Sequence, residues 1–382
     1  MAEPSRLSVK ALPLAEAAGL WAAFAPGDCY GIAQSRHWVD CWASNVNPEI
    51  YCGVILENDA PILLLPLEVV VDKTCRVARF IGGTHANANF PMLRKDRAAA
   101  VSSELANALF KALFLAVPKL DALVLARQQP HINGVANPFA ALPLQPSPNL
   151  ALSFALEQSF EHLIKHRSGA RKLKKMRQQA RRMDERGGWE CTVAQDVADV
   201  GQMLEAFFVM KAKRFEEFGL KNTFERREIK DFFKALFGAG APDLKAPFRL
   251  DALRVGGDIL AVAGSSVRHG TNIVEFGAVR AHEPTLSPGD FLFHQMIKRA
   301  CEDGAQVFDF GVGDEPYKRA WCDVETQHFE TVKGFGARGL AYAQLYRMAG
   351  KAKLAIKRNA YVFGVIKRLR MRKAAESSDG GG

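Results

Sequence analysis

One pattern occurs twice in this chain, and it constrains the fold more than any other feature. In the first half, Ile50 to Leu56, Pro61 to Val71 and Cys75 to Ile81 read as three strands divided by short polar turns. A helix over 97–117 and a strand from Ala122 to Ala126 follow. In the second half, Phe248 to Val255, Ile259 to Val267 and Asn272 to Val279 are again three strands. A helix from about Ser287 and a short apolar strand, Val307 to Phe310, complete the series. The turn glycines Gly256 and Gly257 stand where Asn58 and Asp59 stand about 198 residues earlier. Two α/β domains of one design are therefore expected, each a mixed, mostly antiparallel sheet flanked by helices.

At 382 residues the chain is long enough for two cores. The boundary is expected in Pro138 to Leu150, where PFAALPLQPSPNL concentrates prolines. This gives a first domain over 1–150, a second over 151–346, and a basic amphipathic tail over 347–382 ending in a disordered SSDGGG. Leu152 to Leu156 reads as the first strand of the second domain, with closing strands near Phe329 to Gly334 and Gly339 to Tyr346. The opening residues carry no secretory pattern and no apolar run of membrane-spanning length, so a cytoplasmic protein is expected. The seven cysteines are scattered, show no CxxC pair, and read as reduced thiols rather than a disulfide framework or zinc site.

The formal charge is +10. Residues 165–186 hold ten Lys or Arg against two acids, residues 347–373 hold ten against none, and the remainder is left with 31 basic and 39 acidic residues. Two segments thus carry all the excess, which argues against a protein basic over its whole surface. The first segment reads as a helix that is a solvated face, an acceptor-binding surface or a phosphate clamp. The second mixes Leu354, Ile356, Tyr361 and Val365 with its cations; its first half reads as a helix packed on the domain with a polar rim, and its second half suits contact with an anionic membrane.

Chemistry concentrates in LSPGDFLFHQMIKRACEDGAQVFDFGVGDEPYKRAW, Leu286 to Trp321. Ser287 is a natural N-cap, Pro288 suits the first helical position, and Gly289 with Asp290 leaves the opening turn slim. Its unpaired N–H groups would make an anion site. Phe291, Leu292, Met296, Ile297 and Ala300 form one buried face, and Gly304 ends the helix. Asp309 lies in the next strand, where a carboxylate needs a partner such as Lys318 or Arg319. Carboxylates, a phenol and an ammonium gathered on a strand and its following loop can move protons and stabilise developing negative charge. Glu275 and Asp309 are candidate bases, Tyr317 a proton donor and Lys318 an oxyanion partner. Asp314 and Glu315, with Arg319 and Trp321, are candidate acceptor contacts. The histidines have no identifiable partners. No metal-ligand spacing, GxSxG elbow or phosphate-binding loop appears, so no metal is expected.

The SPG helix start at Ser287 to Gly289 and the DFG and GDEPYK motifs within Asp309 to Lys318 resemble the CelD/BcsL-type acetyltransferase family, a bacterial branch of the GNAT superfamily with a BioF2-like domain. QSRHW at Gln34 to Trp38, PLEV near Pro66 and FIGG at Phe80 to Gly83 extend the likeness to the first half. The resemblance implies a tandem GNAT fold related to FemABX and an acyl-CoA-dependent N- or O-acyltransferase, acetyl-CoA being the expected donor. It implies a sugar or lipid-linked glycan acceptor in exopolysaccharide production. The CoA pyrophosphate would sit on the turn of Ser287, Pro288, Gly289 and Asp290. The usual GNAT Q/R-x-x-G-x-G/A signature is absent, so a nearby cation such as Arg280 would have to assist. In FemABX-type transfer a late lysine serves the transition state, and Lys318 would be its counterpart. The alternatives are aminoacyl transfer from charged tRNA, with the basic helix following RNA, and a non-catalytic regulator. Arg368, Arg370 and Arg372 fit the spaced arginines of a cyclic di-GMP site, though its companion DxSxxG element is missing.

Overall fold

The computed structural model describes residues 6–157, 159–166, 169–239, 247–281, 283, 285–359, 361, 362, 364, 365 and 368. The chain forms two compact units, Met1–Leu150 with Thr326–Arg358, and Ala151–Glu325 with Asn359–Gly382.

In the first unit, strands Leu7–Pro13, Ile50–Glu57, Ala60–Asp72, Cys75–Phe80, Ala122–Gln128 and Val324–Gly334 lie side by side in that order. Cys75–Phe80 pairs in parallel with Ala122–Gln128, and the other pairs with a described register are antiparallel. A parallel pair needs a crossover, here the helix Ser103–Ala116. Ser102 caps that helix by accepting from Leu105 N, and Leu109, Phe110 and Leu113 bury its inner face. The single helix expected over 97–117 is therefore a 3-10 turn, Lys95–Ala100, followed by a capped helix.

The second unit repeats the plan. Strands Leu144–Ala155, Val307–Val312, Thr271–Val279, Asp258–Arg268, Phe248–Val255 and Trp189–Val193 are neighbours in that order. Thr271–Val279 and Val307–Val312 are the parallel pair, and the helix Pro288–Glu302 is their crossover. Asn58 and Asp59 in one hairpin, and Gly256 and Gly257 in the other, all have left-handed backbone, with φ between 49° and 87°. The repeat read from the turns is thus a repeat of backbone geometry.

Phe291, Leu292, Met296, Ile297 and Ala300 are all buried, against Phe154, Phe308 and Phe310. The other face of the sheet is covered by the helices Val197–Glu217 and Arg227–Gly238. Phe207, Phe224, Phe233 and Phe237 gather there round Phe276, with Phe207 at 4.4 Å from it. Gly264 is a glycine because a Cβ would come within 2.4 Å of the Phe276 ring.

Two expectations are corrected. Residues 326–358 return to the first unit, because Thr331 to Gly334 pair with Leu125 to Ala122. Gly339 to Tyr346 is no strand but part of the helix Gly336–Arg358, which starts after a left-handed Gly336. The chain-terminal SSDGGG lies outside the described residues. Among the described residues no helix is long and apolar enough to cross a membrane.

Candidate functional site

The parallel strands of the second unit pair at only three positions, Thr271 with Val307, Asn272 with Phe308 and Ile273 with Asp309. Both strands run on without pairing to each other. Irregularities on their outer sides explain why. Against Leu144–Ala155, register shifts between Asp309 and Val312; Asp309 Oδ1 accepts from Gly311 N at 2.7 Å, and Gly311 has φ +67°. Against Asp258–Arg268, register shifts between Gly264 and Ser265, and Glu275 is the extra residue. Bulges bend and twist a strand and re-aim its side chains. Two of them leave an opening in the sheet beyond Ile273 and Asp309.

A lysine is anchored on each side of this opening. Lys318, 5 % exposed, donates to Val312 O at 3.0 Å and pairs with Glu315 Oε2 at 3.0 Å. Gly313, at φ +138°, makes room for that pair, since a Cβ there would lie 2.5 Å from the carboxylate and 2.7 Å from the ammonium. Lys211, from the helix Val197–Glu217, donates to Gly277 O at 3.1 Å. Burial lowers its pKa; Glu315 opposes this, while Arg214 and Lys318 add to it. Burial lifts Asp309 to about 6, a rise held back by the Gly311 N–H and by Lys318. Asp309 is thus a carboxyl able to exchange a proton near neutrality. Tyr317 lies flat on Phe293, with centroids 5.5 Å apart and planes 5° apart, and edge-on to Phe310. Burial raises its phenol above the ordinary range, so it stays protonated.

The helix start closes on the end of the opened strand. Ser287 occupies the N-cap position with φ +44°, but its side chain makes no capping hydrogen bond, contrary to expectation. Left-handed backbone turns the chain directly into Pro288. Phe291 N to Ser287 O is the first bond of the helix, so Gly289 and Asp290 supply its open amides. A Cβ on Gly289 would sit 2.6 Å from Val279 Cγ1, so only glycine lets the turn approach the strand this closely. The turn is not uncovered, because the basic helix Gly169–Asp184 and the residues after it line it. Lys175 pairs with Asp290 at 2.6 Å, Gln179 donates to Leu286 O, Arg182 to Thr285 O, and Arg186 pairs with Glu283. One face of that helix is therefore a scaffold for the turn rather than a solvated surface.

Other candidates lie elsewhere. Trp321, 3 % exposed, is stacked on Phe154 with Lys172 Nζ 3.6 Å above its ring, so it is a packing residue and not an acceptor contact. Arg319 pairs with Asp314 and Glu325, which balances its charge and that of Asp314. Glu275 accepts from Ser266 Oγ at 2.6 Å. Arg280 pairs with Asp258 at 2.8 Å and lies on a groove of about 640 Å³ with Ala206, Val209, Met210 and Ile259. Its charge is met by Asp258 rather than waiting at the helix start. His294 is buried; desolvation lowers its pKa, while its Nδ1 lies 2.8 Å from Asp290 O. Arg370, Arg372 and His282 lie outside the described residues. No group of three or more His, Cys, Asp or Glu able to hold a metal occurs among the described residues.

Lys211 escaped the sequence reading, and so did the contacts by which Lys175, Gln179, Arg182 and Arg186 hold the turn, although the segment 165–186 that supplies them was singled out by its charge. Lys211 had a signal: Val200, Leu204 and Phe207 repeat at helical spacing, and Lys211 is the next position on that buried face.

Comparison with known proteins agrees with this geometry. Residues 170–319 match the family model described as an acetyltransferase (GNAT) domain. No curated protein sequence matches the chain. Among solved structures, FemX is similar over 88 % of this chain and 99 % of its own, at 12 % identity and a TM-score of 0.56. A conserved protein of unknown function from Bacteroides thetaiotaomicron covers 85 % and 99 %, at 13 % identity and a TM-score of 0.52. A tandem GNAT protein from the clavulanic acid biosynthesis pathway covers 87 % and 99 %, at 13 % identity and a TM-score of 0.49. At such identities the likeness is one of fold. The family match adds the chemistry, and the chain carries an acyltransferase domain in its second unit.

Proposed function

We propose that the second unit transfers an acyl group, acetyl being the expected one, from acyl-CoA to an amine or hydroxyl of a sugar or lipid-linked saccharide. The observation that carries this is the opening between Thr271–Val279 and Val307–Val312, with Lys318 at its side and Gly289 seated on Val279. An extended thioester fits such a slot, with its anionic end toward the Gly289 and Asp290 amides.

The chemistry then follows from the groups in place. The acceptor nitrogen or oxygen attacks the thioester carbonyl, and its proton passes to a carboxylate, Asp309 or Glu275. The Lys318 ammonium faces the negative charge that develops on the carbonyl oxygen. As the carbon–sulfur bond breaks, the thiolate takes the proton held by the carboxyl that received it from the acceptor, which restores the carboxylate, and the Tyr317 hydroxyl donates a hydrogen bond to the departing sulfur. The saccharide acceptor rests on the resemblance to polysaccharide-associated acetyltransferases and on the exposed carboxylate of Glu315, suited to accepting from hydroxyl groups. The decisive assay is thiol release from acetyl-CoA in the presence of amino sugars and lipid-linked saccharides. Lys318→Met should lower turnover about 10²- to 10³-fold, the usual cost of losing one oxyanion partner; turnover within a few fold of wild type would reject the assignment.

A second reading, aminoacyl transfer from charged tRNA as in FemABX-type enzymes, is favoured by the likeness to FemX and by the outward cations Arg171, Lys174, Arg177 and Arg181 of the basic helix. Transfer of a radiolabelled amino acid from tRNA, with no thiol release from acyl-CoA, would select it.

A further inference from the structure

The helix Gly336–Arg358 in the first unit has two apolar faces, and among the described residues only one is covered by the rest of the protein. Gly339, Tyr342, Ala343 and Gly350 are buried. Tyr342 donates to Asp72 Oδ2 at 2.6 Å, and Gly339 is a glycine because a Cβ would come within 1.8 Å of Asp121 O. The opposite face should be polar in a helix covering a domain. Instead Ala341, Leu345, Met348, Ala352 and Ala355 recur at alternating spacings of four and three residues, all exposed. Leu345 is 59 % and Met348 58 % exposed, with Leu340, 62 % exposed, at the edge. A contiguous apolar stripe of this kind marks a contact surface.

The charges beside the stripe say what covers it. No acid occurs between Gly336 and Arg358, whereas Arg338, Arg347, Lys351, Lys353, Lys357 and Arg358 do. Arg347 is turned inward to Val332 O, but Lys351, Lys353 and Arg358 are exposed. Self-pairing along this stripe would set cations against cations, with no acidic residues of the helix to form the ion pairs that direct helix association. A lipid leaflet carrying negative headgroups meets both features together, burying the apolar stripe at the headgroup boundary and attracting the flanking ammoniums. We propose that the outer face of Gly336–Arg358 docks the protein on an anionic membrane surface. This goes beyond the proposed chemistry and stands without it.

The test is flotation of the full chain with vesicles of phosphatidylcholine alone and of phosphatidylcholine with phosphatidylglycerol. Binding is expected only to the anionic vesicles and should fall as salt rises. Leu345→Glu with Met348→Glu should reduce it by about tenfold or more, because two apolar side chains leave the interface. Lys351→Glu with Arg358→Glu should reduce it by about fivefold for each cation removed. Both pairs are surface changes, so an unchanged thermal midpoint confirms that the fold is kept. The proposal is overturned by equal binding to both vesicle types, by no binding, or by full binding in both variants. It is also overturned if sedimentation shows a dimer that Leu345→Glu with Met348→Glu converts to monomer, since a second copy would then cover the stripe.

Discussion

Replacing Asp309 by Asn should make the protein more stable at neutral pH and leave it nearly unchanged in acid. Asp309 is 9 % exposed and rises from 3.8 to about 6 on folding, chiefly through burial. Its native state therefore binds a proton more tightly than its unfolded state. Stability from this group is fully present below 3.8 and is lost as pH rises through about 6. At about 1.4 kcal/mol for each pH unit, the loss is about 3 kcal/mol. Asn keeps an oxygen that can accept from Gly311 N and carries no charge to desolvate. Urea unfolding of both proteins from acid to neutral pH gives a difference curve in which other titrating groups cancel. The variant should gain about 3 kcal/mol on the wild type across that window, with acyl transfer reduced if Asp309 is the base. A flat difference curve would show that Asp309 takes up its proton in the folded state as it does in the unfolded one, and would remove the argument for a carboxyl poised near neutrality.

Two further outcomes follow from groups the sequence did not single out. Lys211→Met keeps the helix packing but removes the ammonium from Gly277 O, so kcat should fall about tenfold or more while the far-UV spectrum stays unchanged; unaltered kcat would make Lys211 a packing residue. His328, 1 % exposed, is lowered to about 4, first by burial and then by the nearby Arg127. Its unfolded form takes up a proton near 6.5 that the folded form resists. Stability is then present above 6.5 and lost as pH falls toward about 4. His328→Gln should flatten that acid limb in the same denaturation series, and an unchanged limb would mean that His328 does not control it.

What could be read from the residues was local. Asn58 with Asp59, and Gly256 with Gly257, announce tight turns because few residues tolerate left-handed backbone. The buried face of Pro288–Glu302 was legible because its apolar spacing is helical. What was misread depends on partners far along the chain. Val324–Gly334 belongs to the first unit because it pairs with Ala122–Gln128, about 200 residues earlier, and nothing in its own pattern says so. Gly339 to Tyr346 alternates enough to pass for a strand, yet Gly339 and Ala343 face inward together at helical spacing. Trp321 resembled an acceptor contact because it ends a polar loop, but Phe154 and Lys172 enclose it. The site's main geometric feature, the early end of pairing after Ile273 and Asp309, comes from bulges on strands paired from outside and was invisible in the motif itself.

The most direct test of the account is calorimetric titration of the whole chain with acetyl-CoA, beside Gly289→Asp, which places a carboxylate against Val279 where the anionic end of the donor is expected. Saturable binding by the wild type, lost in the variant, is the predicted result; a Cβ at Gly289 meets Val279 Cγ1 at 2.6 Å, so some loss of stability at this turn is expected and an unchanged far-UV spectrum shows that the rest of the fold is kept. Failure of the folded wild type to bind acetyl-CoA, or equal binding by the variant, would contradict an acyl-CoA site at this helix start.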